Sequence, residues 1–489
     1  MKKLLTASQM KFCDEREINN GTPSADLMER AAKEVYRVIK NRFWCSEKPI
    51  FVCGNGNNGG DGLLAASIAF KDGVDVAVLF VGDESKCSPE CARRLSEARD
   101  MGVTFVSDPD LNGYDLIVDA IFGIGLTRNA EGRIAEIINM INESTAEVLS
   151  VDIPSGAFAD SAEGYPQVKA DYTVAIQAYK YANIRLGKCE CVDIGIPCDD
   201  MDAPSAMEKD DVARLLGSRP VDCHKGTYGR VLVIGGNVGM CGAAYLSTLG
   251  AYRSGAGLVE IFADVENRVP IQTLIPEAVM TCTDFDLPEL AKLDKALSRA
   301  SSVCIGMGMG CSAGAKKILA YTLENVKCPV VIDADALNMI SHSGLEIPAN
   351  AVITPHPMEL SRLTGKSVSD LKGDLVGNAV AFAKDNRCVI VAKDARSVIS
   401  DGETVIINSS GSPALAKGGS GDVLAGVIGA FLSRGLSPVH AAALGSYVHG
   451  KAGEFCAEDV SLGEEGTLAR DIANKVAYAI EWGKDHGRI

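Results

Sequence analysis

At 489 residues, 47% hydrophobic and 23% charged, the chain has the length for two or three domains with full cores and the balance of an ordinary globular protein. A formal net charge of −16 argues against nucleic acid and anionic membrane surfaces as partners. It leaves room for small anionic ligands, which local amides and single basic residues can hold.

No run approaches the ~18 apolar residues of a membrane span, and Met1-Lys-Lys-Leu-Leu is too short for a signal peptide. A cytoplasmic protein with its 16 cysteines reduced is expected, since Cys53, Cys304 and Cys388 sit inside apolar runs. Fifty glycines against two tryptophans point to an α/β protein with many tight strand–helix turns.

Residues Ala25–Phe43 place Leu27, Ala31, Val35, Val38 and Ile39 at helical spacing. From there, strand-like runs at Ile50–Cys53, Val74–Val81, Val103–Val106, Leu116–Ile121, Val148–Ile153 and Tyr172–Ile176 alternate with helical stretches. This predicts a parallel sheet with helices on both faces. The acidic, proline-bearing Asp199–Pro204 reads as a linker. A second α/β series then runs through Arg230–Gly235, Leu258–Phe262, Val303–Ile305, Val330–Asp333, Ala351–Ile353, Val389–Val391 and Val405–Ile407, closing in a helix over Ala469–Trp482. The boundary is placed near residue 205, giving domains 1–205 and 206–489.

The first loop of interest, Gly54-Asn-Gly-Asn57-Asn58-Gly59-Gly60-Asp61-Gly62, follows a predicted strand. It satisfies a dinucleotide fingerprint formally, but Asp61 would repel a pyrophosphate, and the paired asparagines suit a ribose, an amide or a hard cation. Asp119 and Asp152 each end an apolar run, so each should emerge at a strand's carboxyl end, where α/β sheets bind ligands. Asn58, Asp119 and Ser155 offer oxygen ligands for a cation, and Asp152 is the candidate for acid–base work. Taken singly, these aspartates read as helix and turn caps.

The second loop, Lys417-Gly-Gly-Ser-Gly421-Asp422, opens an apolar helical run. Amides at a helix start hold phosphate, and an aspartate just after them can take a proton from an attacking hydroxyl. Lys393-Asp394-Ala395-Arg396-Ser397 offers two cationic groups to a diphosphate. Thr354-Pro-His356-Pro-Met-Glu359 brings a histidine and a carboxylate suited to Mg²⁺. Asp333-Ala-Asp335 and Gly306-Met-Gly308-Met-Gly310 also follow predicted strands. His342, His440, His449 and His486 lack such context and read as surface or core side chains.

The ordered motifs GNGNNGGDG, VDAIFGIG, DIPSG, HKGTYGRVLVIGG, DADALN, TPHP-x-E and GGSGDVLAG span nearly the whole chain. In them the sequence resembles the bifunctional NAD(P)H-hydrate repair family. Its members fuse an epimerase of the YjeF N-terminal type, with a Rossmann-like three-layer sandwich, to a ribokinase-like ADP-dependent dehydratase. The resemblance implies epimerisation of ring-hydrated NADH and NADPH by the first domain. The second would dehydrate one epimer with ADP, releasing AMP and phosphate. It places the hydrate on Asn57, Asn58, Gly59, Gly60, Asp61, Gly123, Ile124, Gly125, Leu126, Thr127, Arg128, Asn129 and Asp152, and a K⁺ on Asn58, Asp119 and Ser155. In the second domain it places the hydrate on Ala244, Gly308, His356 and Asp422, and the nucleotide on Lys393 to Ser397 and Gly421, with a Mg²⁺ near Glu359. It implies Asp152 and Asp422 as the catalytic groups and a homo-oligomer, tetrameric or larger.

Met307, Met309, Met358 and Ser397 depart from the family pattern without removing a charged or nucleophilic group. One rival stays open from sequence: an ATP-dependent ribokinase-like small-molecule kinase fused to a noncatalytic Rossmann-like module.

Overall fold

The computed structural model describes residues 1–349 and 351–485; His486 lies outside them. The chain divides into two compact units, Lys2–Pro204 and Ser205–Ile489, the second including Met1.

The first unit carries a seven-stranded parallel sheet. Its strands are β1 (Pro49–Cys53), β2 (Ala77–Phe80), β3 (Thr104–Val106), β4 (Leu116–Ala120), β5 (Glu147–Val151), β6 (Tyr172–Ile176) and β7 (Lys188–Val192). Their order is β3-β2-β1-β4-β5-β6-β7, so the winding reverses between β1 and β4. Alternate residues of β1 enter different cores: Phe51 and Cys53 face one, Ile50 and Val52 the other. A strand buried on both faces reads as a continuous apolar run, which is why β1, β4 and β5 are plain in the sequence. The run predicted over Val74–Val81 narrows to Ala77–Phe80. Strand β7, with its polar KCECV sequence, has no such run to betray it. Helix Ser24–Arg42 buries Leu27, Ala31, Val35, Val38 and Ile39, as its spacing predicts.

The second unit's strands are β8 (Ser205–Ala206), β9 (Arg230–Ile234), β10 (Leu258–Asp264), β11 (Val279–Thr283), β12 (Ser302–Ile305), β13 (Val330–Ile332), β14 (Val352–Ile353), β15 (Val389–Ala392), β16 (Val398–Ser400) and β17 (Val405–Ile407). They lie in the order β8-β17-β16-β15-β14-β13-β12-β9-β10-β11. Pairing is parallel except where β16 runs against β15 and β17. Again the faces alternate, with Val231 and Val233 in one core and Leu232 and Ile234 in the other.

Helices approach both sheets closely where a glycine faces a thiol. A β-carbon on Gly62 would lie 3.0 Å from Cys53 Sγ, and one on Gly429 would collide with Cys304 Sγ. All 16 cysteines are free thiols. Burial raises the Cys53 and Cys304 thiols far above their ordinary range.

Candidate active sites

In the first unit the winding reversal between β1 and β4 opens a crevice at the strands' carboxyl ends. The chain leaves β1 at Gly54, whose amide donates to Ala120 O at 3.1 Å, and turns into helix Asn57–Lys71. Gly59 must be glycine: a β-carbon there would strike the Gly54 carbonyl. The helix start carries Asn57, Asn58, Gly59 and Gly60 at the carboxyl end of β1, with Gly60 packed against Met28 and Cys91. Asn58 is 8% exposed, yet neither its Oδ1 nor its Nδ2 finds a hydrogen-bond partner. Such a buried orphan amide costs roughly 1–3 kcal/mol unless a partner is bound to it.

Asp119 sits on β4 opposite Ser150 of β5. Fully buried, it accepts from Ser150 Oγ (2.7 Å), Ser155 N (2.9 Å), Ser155 Oγ (2.5 Å) and Ile121 N (3.3 Å). Burial raises its carboxyl pKa, with the Ser155 and Ser150 hydrogen bonds pulling the other way. Ser155 Oγ also accepts from Phe122 N at 2.9 Å. Asp119 and Ser155 thus form one buried oxygen-rich knot.

Asp152 follows β5 with φ 66°, a left-handed backbone that a non-glycine residue adopts only when its surroundings impose it. Its carbonyl accepts from Asn183 Nδ2 at 2.6 Å and its amide donates to Val174 O at 2.7 Å. Its Oδ1 meets Lys180 Nζ at 2.6 Å. A β-carbon on Gly123 would lie 3.1 Å from Asp152 Oδ2 and 3.4 Å from Asn58 Cβ, so these three residues converge. Burial, with Asp152 and Asp14 nearby, drives the Asp61 carboxyl well above its ordinary range. Asp14 is pushed up to about 6 by burial, against the pull of Lys180. The rest of the 123–129 loop lies at the rim. Ile124 packs partly into a small core, Leu126 N donates to Gly123 O at 3.4 Å, and Asn129 Oδ1 accepts from Tyr165 N at 3.1 Å. Gly125, Thr127 and Arg128 are exposed.

In the second unit the register aligns Ile234, Ile305, Ile332 and Ile353 in one row across β9, β12, β13 and β14. Gly235, Gly306, Asp333 and Thr354 therefore leave the sheet side by side. Helix Ser420–Ser433 begins beside Asp333 and Lys393, with Gly419 in the left-handed conformation at its N-cap. Lys393 Nζ meets Asp333 Oδ1 at 3.1 Å, and a β-carbon on Gly421 would lie 3.4 Å from that nitrogen. A cation, a buried carboxylate and open helix amides share one spot.

Asp422, on the helix's first turn, is held by no hydrogen bond or ion pair among the described residues. Burial first, then Asp333, pushes it up to about 7, against Lys393. Ser420 Oγ lies 3.3 Å from Nε2 of buried His449, whose pKa burial lowers to about 4.

Glu359, read as a Mg²⁺ carboxylate, has a local role as well: its Oε2 accepts from His356 N at 2.8 Å, while His356 Nδ1 accepts from Met358 N and Glu359 N. Together they form a capping box on helix Pro357–Thr364. Glu359 is pushed up to about 7 by burial, with Lys393 opposing, and His356 is lowered by burial and Lys393.

Gly308 (φ 58°) abuts Met240 and Ala243, and the buried Ala244 packs on Gly236, so both candidate hydrate residues share one wall. Within the 393–397 loop, Asp394 Oδ1 accepts from Ala395 N (2.9 Å), Arg396 Nη1 reaches Gly411 O (3.5 Å) and Ser397 Oγ donates to Asp394 O (3.3 Å).

Sequence reasoning missed Lys180, Asp14 and the His449–Ser420 contact. Lys180 carried a signal, a lone cation in the apolar stretch after Tyr172–Ile176; Asp14 carried none, being one acid on an amphipathic helix.

Comparison with known proteins accounts for both halves. Residues 24–182 match the model of the YjeF-related protein N-terminus, and residues 231–477 match that of NAD(P)H-hydrate dehydratase. The bifunctional NAD(P)H-hydrate repair enzyme Nnr of Moorella thermoacetica is 33% identical over 98% of this chain and 96% of its own. The enzyme of the same name from Escherichia coli is 33% identical over 91% and 88%. The crystal structure of ADP/ATP-dependent NAD(P)H-hydrate dehydratase from Bacillus subtilis, co-crystallised with ATP/Mg²⁺, superposes with a TM-score of 0.51 at 29% identity, covering 57% of this chain and 99% of that one. A ribokinase-like superfamily protein from Enterococcus faecalis gives 0.53 at 28%, covering 59% and 100%. The chain belongs to the bifunctional NAD(P)H-hydrate repair enzyme family.

Proposed function

We propose that the chain restores ring-hydrated NADH and NADPH. The first unit interconverts the hydrate epimers, and the second dehydrates one of them with ADP, yielding the reduced nucleotide, AMP and phosphate. The observation that carries the reading is the meeting of Lys393, Asp333 and an open helix N-terminus beside unpaired Asp422. That arrangement suits phosphoryl transfer to a hydroxyl.

In dehydration, Asp422 takes the proton of the ring hydroxyl as its oxygen attacks the terminal phosphorus of ADP, and AMP departs. Lys393 and the amides at Gly421 stabilise the charge on the transferring phosphoryl. The ring nitrogen's lone pair then expels phosphate, a far better leaving group than hydroxide, and the resulting iminium loses a proton from the adjacent ring carbon to give the reduced nicotinamide.

In epimerisation, the same lone pair expels the hydroxyl as water and leaves a planar iminium. Water adds back from the opposite face, with Asp152 moving the proton. The developing ring cation would lie beside the Asp152 carboxyl, which is paired with Lys180 and favours it electrostatically.

Potassium fits the first unit: the orphan Oδ1 of Asn58 is a neutral oxygen donor in want of a partner, and Asp119 and Ser155 supply oxygens nearby. A bound K⁺ would supply a fixed charge that orders these loops around the substrate. For Mg²⁺ the residues present form no closed cage. Glu359 is engaged in its capping box, and no cluster of acidic, histidine or cysteine side chains suited to a metal occurs among the described residues. A Mg²⁺ here would rest chiefly on the diphosphate oxygens.

The test is recovery of reduced-nicotinamide absorbance from purified hydrate of both epimers, with ADP and with ATP in separate runs. Complete recovery with ADP supports both activities. Rapid recovery of one epimer's share, with the remainder following only at the spontaneous epimerisation rate, removes the first. Recovery with neither nucleotide from folded protein removes the second.

A further inference from the structure

Lys180 is an unusual place to find a cation. It is 1% exposed, among the largest fully buried side chains of the chain. Its ammonium meets Asp152 Oδ1 at 2.6 Å and Ile176 O at 2.9 Å. Its own amide donates to Asn183 Oδ1 at 2.7 Å, and Asn183 in turn donates from Nδ2 to Asp152 O at 2.6 Å. Lysine and asparagine therefore grip the two ends of Asp152, the side chain and the carbonyl, from one short helix, Tyr181–Arg185, and the residue that caps it. Asp152 itself holds the left-handed backbone that this grip enforces, and it turns its other oxygen, Oδ2, towards Gly123 and Asn58. A lone lysine this deep is costly to bury, and breaking such a pair leaves an uncompensated charge. The sheet edge alone gives no packing reason for it.

We propose that Lys180 is a positioning residue of the epimerase site: it binds Asp152 Oδ1 so that Oδ2 alone is presented to the substrate. The inference rests on the epimerase reading of the first unit. Lys180 does not reach the substrate; it acts through Asp152, whose charge it balances.

The test is epimerisation by the full-length enzyme, measured by chromatographic separation of the two hydrate epimers from a single purified epimer. Lys180→Met is expected to lower kcat ~10²-fold, the usual consequence of misplacing a reacting group by about 1 Å, with KM changed less than about threefold. In the Asp152→Asn background, where no carboxylate needs holding, adding Lys180→Met should cost less than about threefold more, every rate being taken above the spontaneous one measured without enzyme. The double variant removes the unpaired buried charge as well, so it should fold even where Lys180→Met does not. In that case Lys180→Gln, which keeps a donor for Ile176 O, completes the cycle. Independent, multiplicative losses in the cycle, or a single variant with unchanged kcat, overturn the positioning role while leaving the epimerase reading intact. Failure of the wild-type enzyme to exceed the spontaneous rate overturns both.

Discussion

The two sites solve opposite electrostatic problems at the same place in a sheet. In the first unit two of the site's carboxyl groups are met internally. Asp119 is enclosed by four hydrogen bonds, and Asp152 is paired with Lys180. Beside them the neutral amide of Asn58 has no partner, and the Asp14 and Asp61 carboxyls are raised by burial. In the second unit the unmet groups are charged or dipolar: Asp422 has no partner, and Lys393 shares itself between Asp333 and the opening of a helix. On the proposed reading, the first pocket would be completed by a cation and a ring that becomes cationic, the second by polyanionic phosphate. Fold class alone does not decide which; the residues at the row of strand ends do.

Exchanging the acidic groups should break the comparison hardest. Asp422→Ala should lower dehydration by ~10³–10⁴-fold while sparing epimerisation, both read on the same preparation. Asp152→Asn should do the reverse with a smaller loss, ~10²–10³-fold, because spontaneous epimerisation sets a floor. A variant that silences both reactions while folded would mean that the sites are not separate.

The pH profile sharpens the contrast. With Asp422 pushed up to about 7, its carboxylate form disappears below that point, so the dehydration rate should fall tenfold per pH unit on the acid side. The linkage runs the other way for stability. A carboxyl whose pKa is raised on folding binds more protons in the native state, so its contribution is lost as pH climbs from the ordinary carboxylate range through about 7. Asp422→Asn should therefore gain stability relative to wild type above that pH, measured by urea unfolding.

Glycine substitutions separate the loops by rigidity. Gly59→Ala drives a β-carbon into the Gly54 carbonyl and should cost ~1–3 kcal/mol in unfolding experiments. Gly421→Ala has room, with Lys393 Nζ at 3.4 Å, so stability should change by less than ~0.5 kcal/mol while the KM for ADP rises. The smallest effect concerns Asn58→Ala. It should abolish any shift in thermal stability when K⁺ replaces Li⁺ in the buffer, because it removes the orphan oxygen.

Much of this was legible in the sequence for one reason: strands buried on both faces are unbroken apolar runs, so the polar residue ending each run is conspicuous. Asp119, Asp152 and Asp333 announced themselves that way. Partners brought from elsewhere in the chain did not. Lys180, 28 residues beyond Asp152, shows only as a lone cation in an apolar stretch, which does not say what it pairs with. Asp14 sits on a helix whose exposed face already bears many charges. Glu359 illustrates the converse limit, because a carboxylate three residues after a helix-capping histidine satisfies a local backbone need as well as any metal would. Strands β7 and β11, partly exposed, interleave polar residues and so have no unbroken apolar run.

The thiols that face glycines, Cys53 opposite Gly62 and Cys304 opposite Gly429, act as built-in reporters of motion. Each is inert while its helix lies on the sheet and becomes open to alkylation when that helix lifts away. One labels the first unit and the other the second. The rate at which a maleimide captures each sulfur therefore measures how often each half of the enzyme breathes, without any engineered probe.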